Sequence, residues 1–197
     1  MKTLTGVTTD TKKNLQLGAG VVTTEYTEGG TISSSAIIGA TRGGGSFAAV
    51  PTVRQIEADG LPTYTKDFET IDDWAATLNT TMIEFKKDAV LLALGGGAKA
   101  TVSGQVTKIT ASHEITADQY KDIFWIGDLM DGRKAVIKLK NALSLAGFNL
   151  TITNKGEGTY AVTLTAHYDL EDLDTAPFEI WIDGKNVTEM FMSGGIE

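Results

Sequence analysis

Two histidines, His113 and His167, are the only imidazoles in the chain, and His167 stands two residues before Asp169 in the run AHYDLEDLD. Histidine beside Asp169, Glu171, Asp172 and Asp174 is a donor set for a metal ion, or for proton transfer near neutral pH. These acids lack the spacing and glycine of a calcium loop, so the run reads as a solvated connection ahead of a final strand. Paired carboxylates, Asp72 with Asp73 or Asp172 with Asp174, could flank a glycosidic bond, but neighbouring acids are ordinary in a β protein. No serine sits in a G-x-S-x-G elbow. The absence of cysteine removes disulfides, thiolate zinc sites and cysteine nucleophiles together. The expectation is a protein that is not an enzyme and carries no metal or cofactor.

The glycine run in TRGGGS raises phosphate binding as an alternative. A Walker loop needs lysine and a hydroxyl after its last glycine, and here the residues after Gly45 are Ser46 and Phe47. A dinucleotide fingerprint needs a helix opening from the glycines, whereas SFAAVPTVRQIEAD contains Pro51 and reads as a strand. The run is therefore read as a glycine-assisted bend or loop. Gly95 to Gly97 reads as a helix stop. Trp74, Trp125 and Trp181 could stack on sugars, but each lies in a strand-like run and is read as core. Arg42 and Arg54 flank the glycine segment and are candidates to pair with acids of a neighbouring chain.

These side chains must be positioned by a chain of 197 residues, 42% hydrophobic, which is enough for one domain with a full core. A net charge of −8 and an isoelectric point near 4.8 argue against a nucleic-acid binder that works by neutralising phosphates. The N-terminus, MKTLTGVTTDTKKN, lacks the apolar stretch of a signal peptide. The longest apolar run, Ala89 to Leu94, is far short of the roughly 20 residues needed to span a bilayer, so membrane insertion is not expected.

Abundant Thr, Val and Ile with frequent glycine and scarce proline predict a mainly β chain. Ala135, Ile137 and Leu139 alternate with Lys134, Lys138 and Lys140, the pattern of a strand with one wet face. Asp131-Gly132 joins this strand to DIFWIGDLM as a hairpin. A second hairpin pairs GFNLTITN with TYAVTLTAHYD, and PFEIWID is a closing strand that ends at Asp183-Gly184. In the first half, LQLGAGVVTTEY, SSAIIGAT, SFAAVPTVRQIEAD and DDWAATLNTTMIEF are strand candidates. KKDAVLLALGGG predicts a short helix over about 87–95 that covers an open side of the core, and Thr116 with Gln119 predicts a capped helical turn. The fold expected is a β-sandwich or barrel-like core with one flanking helix and a long loop or hairpin excursion in the first half.

The order of these segments resembles the major tail, or tail tube, proteins of tailed bacteriophages. The first half carries the likeness in LQLGAGVV, IIGATRGGGSFAAVPTVRQIEADG and DDWAATLNTTMIEF leading into KKDAVLLALGGG. The second half carries it in DIFWIGDLMDGRKAVIKLKNAL, GFNLTITNKGEGTYAVTLTAHYD and APFEIWI. It spans roughly Leu15 to Asp183 and rests on a pattern of strands and turns. The resemblance implies a single tube-like domain over 1–197, with arms at 1–14 and 185–197, in a virion subunit that stacks as hexameric rings into a hollow tube. Its implied partners are other copies of itself and the tail tip, tape measure and terminator proteins, while DNA passes through the lumen without specific binding. Tubes of contractile injection systems share this architecture. On this reading Arg42, Gly43, Gly44, Gly45, Ser46, Phe47 and Arg54 lie in a mobile segment between subunits or rings, and Met190, Phe191 and Met192 anchor the C-terminal arm. Deleting Gly43 to Gly45 is expected to block assembly and leave the monomer folded. The alternatives are a monomeric carbohydrate-binding β-sandwich and another phage structural protein such as a tail terminator.

Overall fold

A computed structural model describes residues 5–183. The expected C-terminal arm with Met190, Phe191 and Met192, the turn residue Gly184 and the first four residues of the N-terminal arm lie outside the described residues. The strands are β1 (Gln16–Thr23), β2 (Thr41–Gln55), β3 (Glu69–Met82), β4 (Ala98–Ser103), β5 (Val106–Ala111), β6 (Lys121–Leu129), β7 (Lys134–Ser144), β8 (Leu150–Thr151), β9 (Thr159–Thr165) and β10 (Phe178–Asp183). Helix α1 covers Lys87–Leu94, and a 3₁₀ turn covers Ala117–Gln119.

The architecture is mainly β, with a sandwich or barrel-like core and one α-helix. Antiparallel pairing runs β1-β6-β7-β9-β3-β2, with β10 on β7 and β8 on β9. Strand β7 belongs to both layers. Its first part, from Lys134, pairs with β6 on one edge and β10 on the other, while Leu143 and Ser144 pair with β9. The changeover falls at Asn141, which takes φ +48°, a conformation Asn tolerates better than most residues. The Asn141 N–H donates to the Asp122 carboxylate at 3.1 Å, and its carbonyl accepts from His167 Nδ1 at 3.1 Å. The His167 ring meets Tyr120 edge-on at 5.2 Å. His167 therefore braces a strand corner and does not face the acids that follow it.

Between the layers, Val22, Leu78, Met82, Ile123, Leu139, Tyr160, Val162 and Leu164 form the main core. The alternation over Tyr160, Val162, Leu164 and Ala166 places all four inside, as a period of two requires. Helix α1 buries Ala89, Val90 and Ala93 over one side of this core, and the Gly95 N–H closes it on the Leu91 carbonyl at 3.0 Å. The predicted capping box is present at Thr116 and Gln119. Thr116→Ala should cost about 0.5–1 kcal/mol in a urea titration, since it removes one half of that reciprocal cap.

The expected wet face of β7 is not wholly wet. Val136 is buried there with Phe124 and Ile126, and Tyr26, Ile32 and Trp181 pack over them. The lysines of that face keep their ammonium groups near solvent and pair with acids: Lys134 with Asp128, Lys138 with Asp122 at 2.7 Å and Lys140 with Glu179 at 2.7 Å. Two further expectations are corrected. SSAIIGAT forms no strand of its own before Thr41 opens β2: Ile37 makes a single bridge to Thr23, and Ala36 and Ile38 are drawn inward as a loop. GFNLTITN is a strand only at Leu150 and Thr151, and Ile152 points to solvent. The β4–β5 ribbon has no counterpart in the sequence reading.

Tyr160 supplies a pH-dependent test of the core. Burial, and then the nearby Glu84 carboxylate, push its hydroxyl above the ordinary value of 10.0. The folded chain then holds this proton more tightly than the unfolded chain. Stability from Tyr160 is complete below pH 10 and is lost as pH rises beyond it. Urea midpoints compared at about pH 8 and about pH 11 should fall less in Tyr160→Phe than in the parent.

Candidate functional site: an overhanging hairpin

Strand β2 is 15 residues long and β3 is 14, yet β3 pairs with β9 only from Thr77 to Met82. Beyond that point the β2–β3 hairpin leaves the sandwich. Residues 69–75 of β3 and their partners on β2 extend roughly 20 Å past the last β9 pair at about 3.3 Å per residue. Alternation fixes which side chains share each face. Phe47, Ala49, Pro51 and Val53 lie across from Leu78, Ala76, Trp74 and Ile71. Asp72 is bulged out between Asp73 and Ile71, which keeps the two apolar series on one face.

That face is covered only at its base. Ala76 and Leu78 are buried, and Phe47 packs on Phe178 at 5.9 Å between ring centres. The Trp74 ring meets Phe178 at 5.5 Å, and the Trp74 backbone N–H donates to the Tyr168 hydroxyl at 2.7 Å. Farther out the same face is bare: Val53 is 50% exposed and Ile71 52%, and Ile56 and Phe68, beyond the paired strands, are exposed near the tip. The other face carries Ser46, Ala48 and Thr52 opposite Asn79, Thr77 and Asp73, with one exposed aliphatic among them, Val50 opposite Ala75. The tip is shaped by its own hydrogen bonds, Ile56 N–H to Phe68 O at 2.9 Å and Leu61 N–H to Ala58 O at 3.0 Å.

The glycine run is part of β2 and sits at the root of this hairpin. Between Thr41 and Gly45 the register shifts, and Gly43 and Gly44 both take φ +77°, a region unfavourable to residues with a side chain. Gly45 lies so close to the Asn79 carbonyl that a Cβ would strike it. Ser46 accepts a weak hydrogen bond from the Asn79 amide at 3.4 Å. The three glycines thus form a bulged stretch of strand. Removing them would shift β2 by an odd number of residues and turn Phe47 and Ala49 away from the core. Deletion of Gly43 to Gly45 is therefore a poor probe of assembly, because it should damage the fold itself.

The flanking arginines find partners within the chain. Arg54 binds Asp72 through Nε at 2.9 Å and Nη2 at 3.1 Å. Arg42 reaches Glu157 at 2.9 Å. The Glu157 carboxyl is held below its usual range, first by its own backbone N–H and then by Arg42. This contribution is present above the usual value of 4.5 and fades as pH falls through the lowered one. Of the sequence-derived contact residues, Phe47 serves the interior, and Arg42 and Arg54 are tethers of the hairpin. The bare residues Val53, Ile56, Phe68 and Ile71 were absent from that set. Their signal was the apolar spacing of Pro51, Val53 and Ile71 in a strand too long for a small sandwich.

The other candidate groups stay apart. Trp181 packs on Tyr26 and Phe124 outside the first layer, Trp125 turns its indole N–H onto the Ala19 carbonyl at 3.0 Å, and Trp74 meets Phe178. They form no common platform for a sugar. Asp169 and Asp172 accept N–H groups of their own turn from Glu171 and Thr175. A cleft of about 420 Å³ beside α1 has Leu91, Leu92 and Ile123 in its wall and Asp88, Lys99 and Asp118 among its polar groups. No helix among the described residues is long and apolar enough to cross a membrane. The chain matches no model of a known protein family, and no curated protein is significantly similar to it.

Proposed function

We propose that this protein is a self-assembling structural subunit of the phage tail-tube type, found in the virion, whose copies form hexameric rings that stack around a DNA-conducting channel. The observation that carries the reading is the overhanging hairpin. It presents Val53, Ile56 and Ile71 to water although the chain has a well-filled core elsewhere. A lone two-stranded projection gains little from its own pairing, so an apolar face on it is best satisfied by a second surface. Stacked rings provide such a surface on every subunit. Net charge −8 suits a channel that must pass a polyanion without holding it. The tail tip, tape measure and terminator proteins are the further partners of this reading.

Negative-stain electron microscopy of the concentrated protein tests it. Hollow tubes or sixfold rings with a central channel are the expected result. A monomer at every concentration that binds an immobilised glycan would instead favour a carbohydrate-binding module.

A further inference from the structure

A second unpartnered surface lies at the β4–β5 ribbon. Its strands pair only with each other, from Ala98 opposite Ala111 to Ser103 opposite Val106, through a two-residue turn. Alternation puts Ala100, Val102 and Ile109 on one face, while Lys99 and Lys108 rise from the other. Val102 is 64% exposed, and neither lysine forms an ion pair among the described residues. An isolated ribbon of this size is marginal in water, and both of its long edges are open.

The same chain exposes a surface of opposite character in the loop after β9. Leu170 is 87% exposed and Leu173 63%, and acids stand on both sides of each: Asp169, Glu171, Asp172 and Asp174. Glu171 and Asp174 form no ion pair among the described residues. Ribbon and loop are complementary in charge, and both bring uncovered aliphatic side chains. Within one subunit Val102 and Lys108 of the ribbon and Leu170 and Leu173 of the loop stay exposed, while Ile109 is half-buried.

We infer that the acidic leucine loop of one copy docks on the β4–β5 ribbon of the next, with Leu170 and Leu173 over Ala100 and Val102 on its apolar face and the carboxylates passing around the open strand edges to Lys99 and Lys108, which rise from the opposite face. Two unlike patches meeting in this way make a heterologous contact, which repeats from copy to copy and closes into a ring or continues as a filament. The contact is lateral and separate from the hairpin. It rests on the reading of the chain as a self-assembling subunit and names one surface that joins its copies.

The test uses the full chain with charges exchanged. K99E/K108E and E171K/D174K, each alone, should weaken self-association at least tenfold by sedimentation velocity, and one chain carrying all four changes should regain it. All substituted residues are exposed, and thermal melts confirm that each variant folds. The cysteine-free background gives a second readout: V102C mixed with L170C should yield a disulfide-linked dimer on mild oxidation, and neither variant alone should do so as efficiently. Assembly unchanged in both charge variants, with no preferential cross-link in the mixture, overturns the ribbon contact and leaves the tube reading standing. A parent chain that stays monomeric in every condition, with no cross-link, overturns the contact as well.

Discussion

A chain in which residues 53–72 are replaced by Asn-Gly should fold, melt within a few degrees of the parent and form neither rings nor tubes. The cut falls just beyond the Thr52–Asp73 pair, where two strands already face each other and a two-residue turn can close them. Phe47, Ala49, Trp74, Ala76 and Leu78, which meet the interior or Phe178, are all kept. What is lost is exposed: Val53, Ile56, Phe68, Ile71 and the Arg54–Asp72 pair. An exposed ion pair is worth about 0–1 kcal/mol, so the domain has little to lose. Circular dichroism would establish folding, and microscopy of the concentrated protein would establish assembly. Tubes of ordinary diameter and length from this chain would remove the hairpin from the assembly surface. A milder version, Val53→Asp with Ile71→Asp, should have the same outcome, because charges on the bare face oppose its burial.

The largest single-site loss of stability should come from Gly95→Ala, a change of one methyl group. Gly95 takes φ +66° and ψ −148°, a combination open almost only to glycine. A Cβ there would also overlap the Ser144 backbone carbonyl. Neither the helix end nor β7 can move aside freely. Ser144 is buried, and its hydroxyl donates to the Ala93 carbonyl at 3.0 Å. Strain and collision together should cost about 3 kcal/mol or more, seen as a large drop in the urea midpoint. Gly104→Ala is the control. It also has positive φ, at +60°, but meets nothing within 4 Å, so about 1 kcal/mol is expected. Equal losses at the two sites would show that the close approach to Ser144 has no energetic weight.

Much of the architecture was legible because its signals are local. The Asp131-Gly132 turn, the alternation in β9, the apolar cluster of α1 before glycine and the Thr116 cap each act over a few residues, and the structure contains each of them. Readings failed where distant contacts decide. Ala36 and Ile38 have strand-like neighbours, but they are taken into a loop over β1. Val136 looks solvent-facing beside its lysines until Tyr26 and Trp181, from distant parts of the chain, close over it. The β4–β5 ribbon passed unnoticed because its threonines and lysines interrupt any apolar run, and little of it contributes to a core. At the hairpin, the glycines drew attention to β2 for an incomplete reason. Their conformation belongs to a bulge at the root, while the bare apolar face lies beyond Pro51, visible only once the end of β9 is known.

The corner at Asn141 also sets how the domain carries load. Since one continuous strand serves both layers, a pull on the β2–β3 hairpin passes through β3 and β9 to Leu143 and Ser144, then along β7 to β6 and β10. The layers cannot slide apart as two plates would. To part, β7 must unzip either from β9 at Leu143 and Ser144 or from both β6 and β10, and Asp122 and His167 pin the point where the strain would concentrate. The domain is thus built as a truss with a shared member, and tension applied at its projecting hairpin is spread over the whole body.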